Sequence, residues 1–360
     1  MISQINAAEP TGYLSVTGPC NLEFPEDHGP HPGYRTEWWY YTGNLQATSG
    51  EKYGFQLTFF RSQISPPAHR REWPQPASAW RTQQIYLAHS AISNIEQNQH
   101  LQAELVARAA LNMAGANQTG DSTTIFLKKW SAHIGLDRHL LKVDSGRFSY
   151  ELTLTPAKSP VLHGNDGYSR KGATPERASC YYSYTRLSAE GKISIGDQSV
   201  AVKGSAWMDH EFGTDMLGPG LKGWDWFSLQ LSDHTEVMAF VLKTDSGGIG
   251  PMSSATVIES KGQDRQLRND EFEVTVLGTW KSPKSKVSYP AGWRFQTSSG
   301  LIELNIKPSM ADQEMLTYGS TGTIYWEGSV TVAGTKDGKA VSGEGYVELT
   351  GYASPFDAPM

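Results

Sequence analysis

WWYYTGNL at residues 38–45 resembles WDWFSLQL at residues 224–231. Each stretch is followed by an apolar segment that ends in a base, at Arg61 in the first case and at Lys243 in the second. Because side chains alternate between the two faces of a β-strand, both stretches are typical of strands that bury one aromatic face. We therefore predict that the chain contains one β-rich unit twice.

Three further pairs of segments recur in the same order. They are SAISNIEQNQHL (90–101) with SATVIESKGQDRQL (254–267), YELTLTP (150–156) with IELNIKP (302–308), and VKGSAWMDHE (202–211) with VSGEGYVELT (341–350). Alternating strands look alike, so one match means little, but four in order favour an internal duplication. The spacing between copies shrinks along the chain, so the first copy carries extra residues, which we predict to be loops at 65–80 and 163–179.

Composition agrees with two β-domains. A chain of 360 residues is longer than a domain with one ordinary hydrophobic core. Its 36 glycines and its aromatic share of 11% favour short strands and tight turns. Glycines and a proline at 213–223 predict a linker between an N-terminal domain, residues 1–217, and a C-terminal domain, residues 218–360. A sandwich and a barrel both fit such strands, and a barrel of about eight strands holds one small apolar ligand.

One segment departs from the β pattern. Leu101, Leu105, Ala109 and Met113 have helical spacing, so we predict a helix there. The two cysteines, Cys20 and Cys180, are interpreted as ordinary thiols, because sequence does not place them within bonding distance.

Charge and hydropathy exclude several classes of partner. The net charge of −6, with both signs mixed, gives no footprint for nucleic acid and disfavours anionic membranes. No apolar run approaches the roughly 18 residues of a transmembrane segment. The first residues lack the features of a signal peptide, so we expect an exported protein if a leader has been trimmed and a cytoplasmic one otherwise.

Six motifs in order resemble the AttH family, which is related to carotenoid 1,2-hydratases and more distantly to lipocalin-like fungal hydratases and pericyclases. The resemblance runs from about residue 22 to 352. It implies an all-β fold of two tandem lipocalin-like (calycin) antiparallel β-barrels and an apolar, isoprenoid or lipid-like ligand. The motifs are HPGYRTEWWYYTGNL, YYSYTRLSAEGKISI, GSAWMDHEFGTDML, GWDWFSLQL, YWEGSVTV and GYVELTGY.

GSAWMDHEFG at residues 204–213 is the strongest catalytic candidate. On a strand, Trp207, Asp209 and Glu211 share one face, while His210 points to the other. An apolar barrel raises the pKa of a carboxyl group and keeps it protonated, and aromatic faces stabilise a cation. The resemblance to the hydratases implies that Asp209 is the acid with Trp207 beside it, and we predict that His210 or Glu211 tunes or relays the proton.

An alternative interpretation of this motif is architectural. The second copy has Tyr346 and Glu348 where the first has Trp207 and Asp209, so an aromatic residue two positions before an acid could belong to the scaffold of each barrel. The hydratases also carry a His-x-Trp upstream, whereas this chain has residues 180–182, Cys-Tyr-Tyr. The difference removes one partner for the acid.

Further ligand-binding candidates lie on the aromatic strands. Glu37 and Trp39 alternate onto one strand face, with Trp38 and Tyr40 on the other. The alternative is that a tryptophan plugs a barrel base and packs against Arg61 or Lys243. The predicted ligand-binding residues are Glu37, Trp38, Trp39, Tyr182, Trp207, Trp224, Asp225 and Trp226.

No metal and no cofactor are predicted. Asp27, His28 and His31 form only a weak pattern in a Pro/Gly loop, and no zinc spacing, phosphate loop or nucleophile elbow is present. The predicted partner is a hydrophobic small molecule, which the protein either binds or converts as a lyase of hydratase type or an isomerase or cyclase. A purely structural module would leave Asp209, His210 and Glu211 without a role.

Overall fold

A computed structural model describes residues 11–215 and 217–355. Among these residues the chain is almost entirely β, with short 3-10 turns at Glu26–His28 and Pro67–Glu72. The first sheet contains β1 Thr36–Ala47, β2 Lys52–Gln63, β3 Gln84–Asn94, β4 Gln99–Arg108, β5 Ala114–Thr119, β6 Ser122–Leu127, β7 Trp130–Ile134, β8 His139–Asp144, β9 Phe148–Pro156, β10 Val161–Leu162, β11 Tyr168–Arg170, β12 Ala178–Ile195 and β13 Gln198–Gly213.

A second sheet follows. Its strands are β14 Leu221–Leu231, β15 Glu236–Thr244, β16 Ser254–Ile258, β17 Asp264–Arg268, β18 Phe272–Val276, β21 Trp293–Thr297, β22 Ile302–Pro308, β23 Glu314–Thr317, β24 Thr323–Lys336 and β25 Lys339–Leu349, while β19 Thr279–Lys281 pairs only with β20 Ser288–Pro290. The domain boundaries at 217 and 218 remain a prediction.

Both sheets are antiparallel and have corresponding strand orders. The first runs β4-β3-β2-β1-β13-β12-β9-β8-β7-β6-β5, and the second runs β17-β16-β15-β14-β25-β24-β22-β21-β18. The first sheet is nearly barrel-shaped, because β4 near one end contacts β6 near the other. Each sheet curves around its own apolar core, so the predicted all-β fold of two antiparallel units is confirmed.

Equivalent residues of the two sheets have equivalent cross-strand neighbours, which confirms the duplication. Trp207 faces Thr42 across β13 and β1, and its counterpart Tyr346 faces Ser228 across β25 and β14. Asn44 and Gln230, at equivalent positions of β1 and β14, then tie the sheets together. The Asn44 amide donates to the Gly345 carbonyl at 3.1 Å, and the Gln230 amide donates to the Ala206 carbonyl at 2.9 Å.

The helix predicted over 101–113 is wrong. Residues 99–108 form β4, and its apolar residues Leu101, Ala103 and Leu105 pack on the first core. A spacing of four satisfies both a helix and a strand, because it is an even number, and pairing with β3 decides for the strand. The predicted loop at 163–179 is also only partly right, since it contains β11 and the start of β12.

The two cysteines are not free thiols. Cys20 and Cys180 form a disulfide across a sequence separation of 160 residues. It joins the segment before β1 to the start of β12, where both side chains are buried with Val16, Ala178 and Phe212. Only the folded chain brings these residues together, which sequence spacing cannot reveal.

No helix among the described residues is long and apolar enough to cross a membrane.

Candidate active site

A narrow cleft lies where the two sheets pack face to face. It contains about 650 Å³ not filled by protein atoms and is partly open to solvent. Apolar walls with a few convergent polar groups are the usual form of a small-molecule site. The aromatic lining residues are Trp38, Tyr40, Phe60, Tyr181, Trp224, Trp226, Phe240 and Tyr325, and the acids are Asp209, Glu211, Glu327 and Glu348.

The acids of the cleft come from equivalent strand positions of the two copies. In the first sheet Asp209 on β13 is paired with Ser183 on β12. In the second sheet Glu348 on β25 is paired with Glu327 on β24. Two related clusters therefore meet at the interface, and the second has a carboxyl group where the first has a serine.

Asp209 is held by three side chains. Trp207 Nε1 lies 2.6 Å from Oδ1, the Tyr181 hydroxyl donates to Oδ2 at 2.7 Å, and Ser183 contacts Oδ1. Burial and, to a smaller extent, the nearby Glu211 carboxylate raise the pKa of Asp209 to about 7, although the hydrogen bonds donated by Tyr181 and Trp207 oppose this. The residue is 4% exposed and lines the cleft. Asp209 is therefore an acid that can exchange its proton near neutral pH.

A chain of hydrogen bonds favours the protonated form of Asp209. The Gln266 side-chain oxygen accepts a backbone N–H at 3.1 Å and the Thr256 hydroxyl at 2.8 Å, which orients the amide. Thr256 then accepts from Nδ1–H of His163 at 2.8 Å, leaving His163 Nε2 to face Ser183 at 2.7 Å. Burial lowers the pKa of His163 to about 3, so Nε2 accepts from Ser183. The contact between Ser183 and Asp209 is satisfied when Asp209 is protonated and donates.

The surroundings of the two second-sheet acids disfavour their charged forms. Burial raises the pKa of Glu348 to about 7, even though Trp224 Nε1 donates to its Oε2 at 3.2 Å. Burial and the opposing Glu348 raise the pKa of Glu327 well above its usual range. Glu211, in contrast, pairs with a cation, because Lys171 Nζ lies 3.0 Å from its Oε1 and 4.2 Å from the centre of the Phe240 ring.

The sequence of this chain matches a known protein family. A family model described as AttH-like matches residues 15–352. The chain belongs to the AttH family. A crystal structure from Nitrosomonas europaea assigned to AttH is 34% identical, covers 94% of this chain and 99% of its own, and superposes with a TM-score of 0.83.

This AttH-family protein is also similar to two named fungal enzymes. Dehydratase asqC of Emericella nidulans is 25% identical over 210 residues, which cover 56% of this chain and 58% of that protein. Kievitone hydratase of Fusarium solani subsp. phaseoli is 27% identical over 243 residues, covering 65% of this chain and 67% of that enzyme. The chain thus matches less than two thirds of the length of dehydratase asqC.

The predicted site residues of the AttH-family chain separate into groups. Trp38, Trp224, Trp226, Asp209 and Glu211 line the cleft, as a common site requires. Trp207 donates to Asp209, is buried, and is not among the residues that line the cleft.

His210 lies on the opposite face of β13 from Asp209. Its Nε2 is 2.9 Å from Glu37 Oε1, its Nδ1 is 3.1 Å from the Tyr182 hydroxyl, and its ring stacks on Trp39. Predicted site residues Glu37, Trp39 and Tyr182 are therefore inside the first barrel with His210, and His210 is not placed to relay a proton to Asp209. Alternation along the strand, noted from the sequence, is the physical reason.

This inner cluster is an ion-pair network. The Glu37 carboxylate also forms ion pairs with Arg61 Nε at 2.8 Å and with His31 Nδ1 at 2.7 Å. His31 Nε2 in turn pairs with Asp27 at 2.9 Å. Arg61 is fully buried within this network. The two carboxylates raise the pKa of His31 to about 9 despite its burial.

One group of described residues has ligand atoms close enough to hold a metal ion. His31, Glu37 and His210 offer atoms within 4.8 Å of one another. In this structure the Glu37 carboxylate already pairs with Arg61 and with both histidines, so the three groups form a hydrogen-bonded ion-pair network. The absence of a metal stays a prediction.

Asp225 also faces away from the cleft, into the second sheet. Its carboxylate accepts from Lys243 Nζ at 2.8 Å and from the Tyr352 hydroxyl at 3.0 Å. Burial raises the pKa of Asp225 and lowers that of Lys243 to about 8. Asp225, a predicted ligand-binding residue, is therefore paired within the second sheet and is not among the residues that line the cleft.

Sequence reasoning missed several cleft residues. Glu327, Tyr325 and Tyr40 were not selected, although YWEG at 325–328 occupies the second-copy position of YYSY at 181–184. Aligning the copies through their paired strands would have found Glu327. Lys171 and His163 had no such signal, because they lie in segments without a counterpart in the repeat.

Proposed function

We propose that this protein adds water to, or eliminates it from, a hydrophobic isoprenoid or lipid-like molecule bound in the cleft, with Asp209 as proton donor. The observation that carries the proposal is the hydrogen-bond order from Gln266 to Ser183, which favours the protonated form of Asp209 in an aromatic cleft. The similarity to a dehydratase and a hydratase supports the reaction type.

The chemistry follows from these groups. In hydration, the electron pair of a carbon–carbon double bond takes the Asp209 proton, forming a C–H bond and a carbocation. The faces of Trp224 and Trp226 stabilise the cation. Water then adds to the cation, and its released proton returns to the Asp209 carboxylate. Elimination is the reverse, with Asp209 protonating the leaving hydroxyl group.

The decisive variant is Asp209→Asn. Turnover should fall by roughly 10²- to 10⁴-fold, because the amide cannot transfer a proton, while ligand affinity changes little. The substrate is first sought by native mass spectrometry of protein from its own host. Turnover is then followed as gain or loss of one water mass across isoprenoid alkenes and alcohols.

Glu314→Gln is the matched control. Glu314 is a buried carboxyl group outside the cleft that accepts from Ser282, Ser285 and Tyr289, so it resembles Asp209 in its three hydrogen bonds. We expect its turnover to equal that of the wild type. Wild-type turnover in Asp209→Asn would exclude the acid role. Ligand binding by a wild-type protein that turns over no bound ligand would instead identify a carrier.

The pH dependence of activity should show that the hydrogen-bond chain from Gln266 to Ser183 raises the pKa of Asp209. Activity should be high below pH 7 and decline above it, because the acid must be protonated. In His163→Phe, Ser183 can donate to Asp209 and stabilise the carboxylate, so the pKa of Asp209 falls and the decline moves to lower pH. Glu211 and Glu348 also face Asp209 and are unchanged in this variant.

Pre-steady-state or kcat/KM profiles of the wild type and His163→Phe measure this shift. His139→Phe is the control, since His139 is a buried, neutral histidine that contacts Tyr41 inside the first barrel. An identical profile for His163→Phe and the wild type would show that this hydrogen-bond chain does not affect the pKa of Asp209.

A further inference from the structure

We propose that the Glu211 carboxylate is the base of the reaction proposed above, which holds the attacking water and takes one of its protons. Lys171 is the positioning residue that keeps Glu211 charged. The proposal rests on the proposed function, because the water needs the carbocation that Asp209 makes. It gives the cleft a second reacting group, on the same wall as the proton donor.

Glu211 lies beside the proton donor. Asp209 and Glu211 are two positions apart on β13, and both line the cleft. Two strand positions span about 7 Å. The acid can thus reach one carbon of a double bond directly, while the base reaches the other carbon through one water, whose hydrogen bond takes about 3 Å. Inverting glycosidases separate two carboxyl groups by roughly 6.5–9.5 Å and leave room for a water in the same way.

The ion pair of Glu211 with Lys171 is held by the first sheet. Lys171 Nζ lies 3.0 Å from Glu211 Oε1 and donates to the Ser169 hydroxyl at 2.9 Å, and the Ser179 hydroxyl donates to the same Oε1. Ser169 and Ser179 are paired across β11 and β12. The side chains of Lys171 and Glu211 are only 4% and 7% exposed. Because both contacts of the carboxylate are made by Oε1, they leave Oε2 available to a water in the cleft.

The other carboxyl groups of the cleft are less suited to this step, because a base must start in its charged form. Burial raises the pKa of Asp209 and Glu348 to about 7 and raises that of Glu327 well above its usual range. Among the described residues, Glu211 is the one cleft carboxyl group that forms an ion pair. Two carboxyl groups of one strand therefore favour opposite protonation states, which assigns one as the acid and the other as the base.

The internal repeat indicates that the scaffold does not require this ion pair. Asp209 aligns with Glu348, so both copies have an acid at that position. Glu211 aligns with Thr350, whose hydroxyl accepts the Trp224 backbone N–H at 3.0 Å, and Lys171 has no counterpart in the second copy. A buried ion pair contributes little stability compared with apolar side chains of similar size. A chemical role therefore accounts for the pair in the first copy.

Each proton of the reaction has a donor and an acceptor. Asp209 gives its proton to one carbon, and the electron pair of the double bond forms the new C–H bond. The water oxygen bonds to the cationic carbon while Glu211 takes a proton from that water, and this proton then returns to the Asp209 carboxylate. Elimination reverses these steps, so the Asp209 proton reaches the leaving hydroxyl group through Glu211. Because both carboxyl groups project from one strand face, hydrogen and hydroxyl should add to the same face of the double bond.

Turnover of phytol in D2O separates the roles of the two carboxyl groups. Phytol is an isoprenoid alcohol with one double bond, and its hydration gives a diol. In Glu211→Gln, diol formation should fall by roughly 10²- to 10⁴-fold, because no base takes the proton of the water. Asp209 still deuterates the double bond, and the cation reverts by losing a proton, so recovered phytol should contain deuterium. Asp209→Asn should lose both the diol and the deuterium, as measured by mass spectrometry.

The ratio of deuterated phytol to diol tests Lys171. Lys171→Met should raise this ratio as Glu211→Gln does, whereas Lys171→Arg should keep the wild-type ratio. A merely structural role would lower both products equally. The double variant Lys171→Met, Glu211→Gln removes both charges, leaves no buried ion unpaired and should give the same raised ratio. Lys158→Met, Glu236→Gln is the control, because it removes a buried ion pair outside the cleft and should keep the wild-type ratio.

Three results would overturn the proposal. Diol formation by Glu211→Gln at the wild-type rate would show that the water needs no base. Equal loss of diol and of deuterated phytol in Glu211→Gln would place the role of Glu211 before the cation. NMR of the wild-type diol showing deuterium and hydroxyl on opposite faces would place the water on another wall of the cleft. All three leave Asp209 as the acid, whereas unchanged turnover in Asp209→Asn would refute the proposed function and this proposal with it.

Discussion

Replacing Arg61 by methionine should lower the free energy of unfolding by about 3–5 kcal/mol. Arg61 and Glu37 are both fully buried, and the guanidinium also donates to the His31 carbonyl at 2.9 Å and the Tyr34 carbonyl at 3.1 Å. Methionine leaves the Glu37 carboxylate buried without its main counter-charge and orphans two carbonyl groups. Urea unfolding at neutral pH measures the loss.

The sign of the pH dependence follows from Glu37. Arg61, His210 and His31 hold the pKa of Glu37 well below its usual range against the effect of burial. The carboxylate therefore contributes stability at pH values above its unfolded pKa, and this contribution is lost as the pH falls toward the folded pKa. The difference between wild type and Arg61→Met should shrink in acid.

Arg294→Met is the control for this prediction. Arg294 is 45% exposed in its side chain and lies 3.8 Å from Glu303, so its loss should cost less than about 1 kcal/mol. Adding Glu37→Gln to Arg61→Met should recover part of the stability, because the buried charge is then gone. Equal losses for Arg61→Met and Arg294→Met would show that the inner cluster contributes little.

Removal of the disulfide should have the second large effect. Cys180→Ser should lower the free energy of unfolding by about 2–5 kcal/mol, because the bond closes a loop of 160 residues and restricts the unfolded chain. Denaturant unfolding of oxidised wild type, reduced wild type and the variant measures the effect.

The double variant Cys20→Ser, Cys180→Ser supplies the control. Reductant should destabilise the wild type toward the double variant and leave the double variant unchanged. Thiol labelling of the unfolded, unreduced wild type should find no free thiol. Two labelled cysteines in that experiment would restore the original interpretation of ordinary thiols and contradict this prediction.

Much of the site could be predicted because strand geometry is local. The alternation of Trp207, Asp209 and Glu211 against His210 was correct, and so was the separation of Trp38 from Trp39. Asp209 and His210 were predicted to act in one site, but they are neighbours on a strand. Neighbouring strand residues point to opposite faces of the sheet, so the two side chains lie apart.

Contacts between distant segments could not be predicted in the same way. His163 meets Thr256 through side chains 93 positions apart, and His89 meets Tyr325 through side chains 236 positions apart. Strand β4 shows the same limit, because its spacing fitted a helix until pairing with β3 was known.

By itself the sequence determined the duplication, the antiparallel β architecture and the strand face on which each acid lies. These features follow from a short repeating geometry that neighbouring residues carry. Only the tertiary structure decided which acids share a cleft, which hydroxyl groups they contact, and that Cys20 bonds to Cys180. Burial and hydrogen-bond partners set protonation, and both depend on segments that folding brings together from far along the chain.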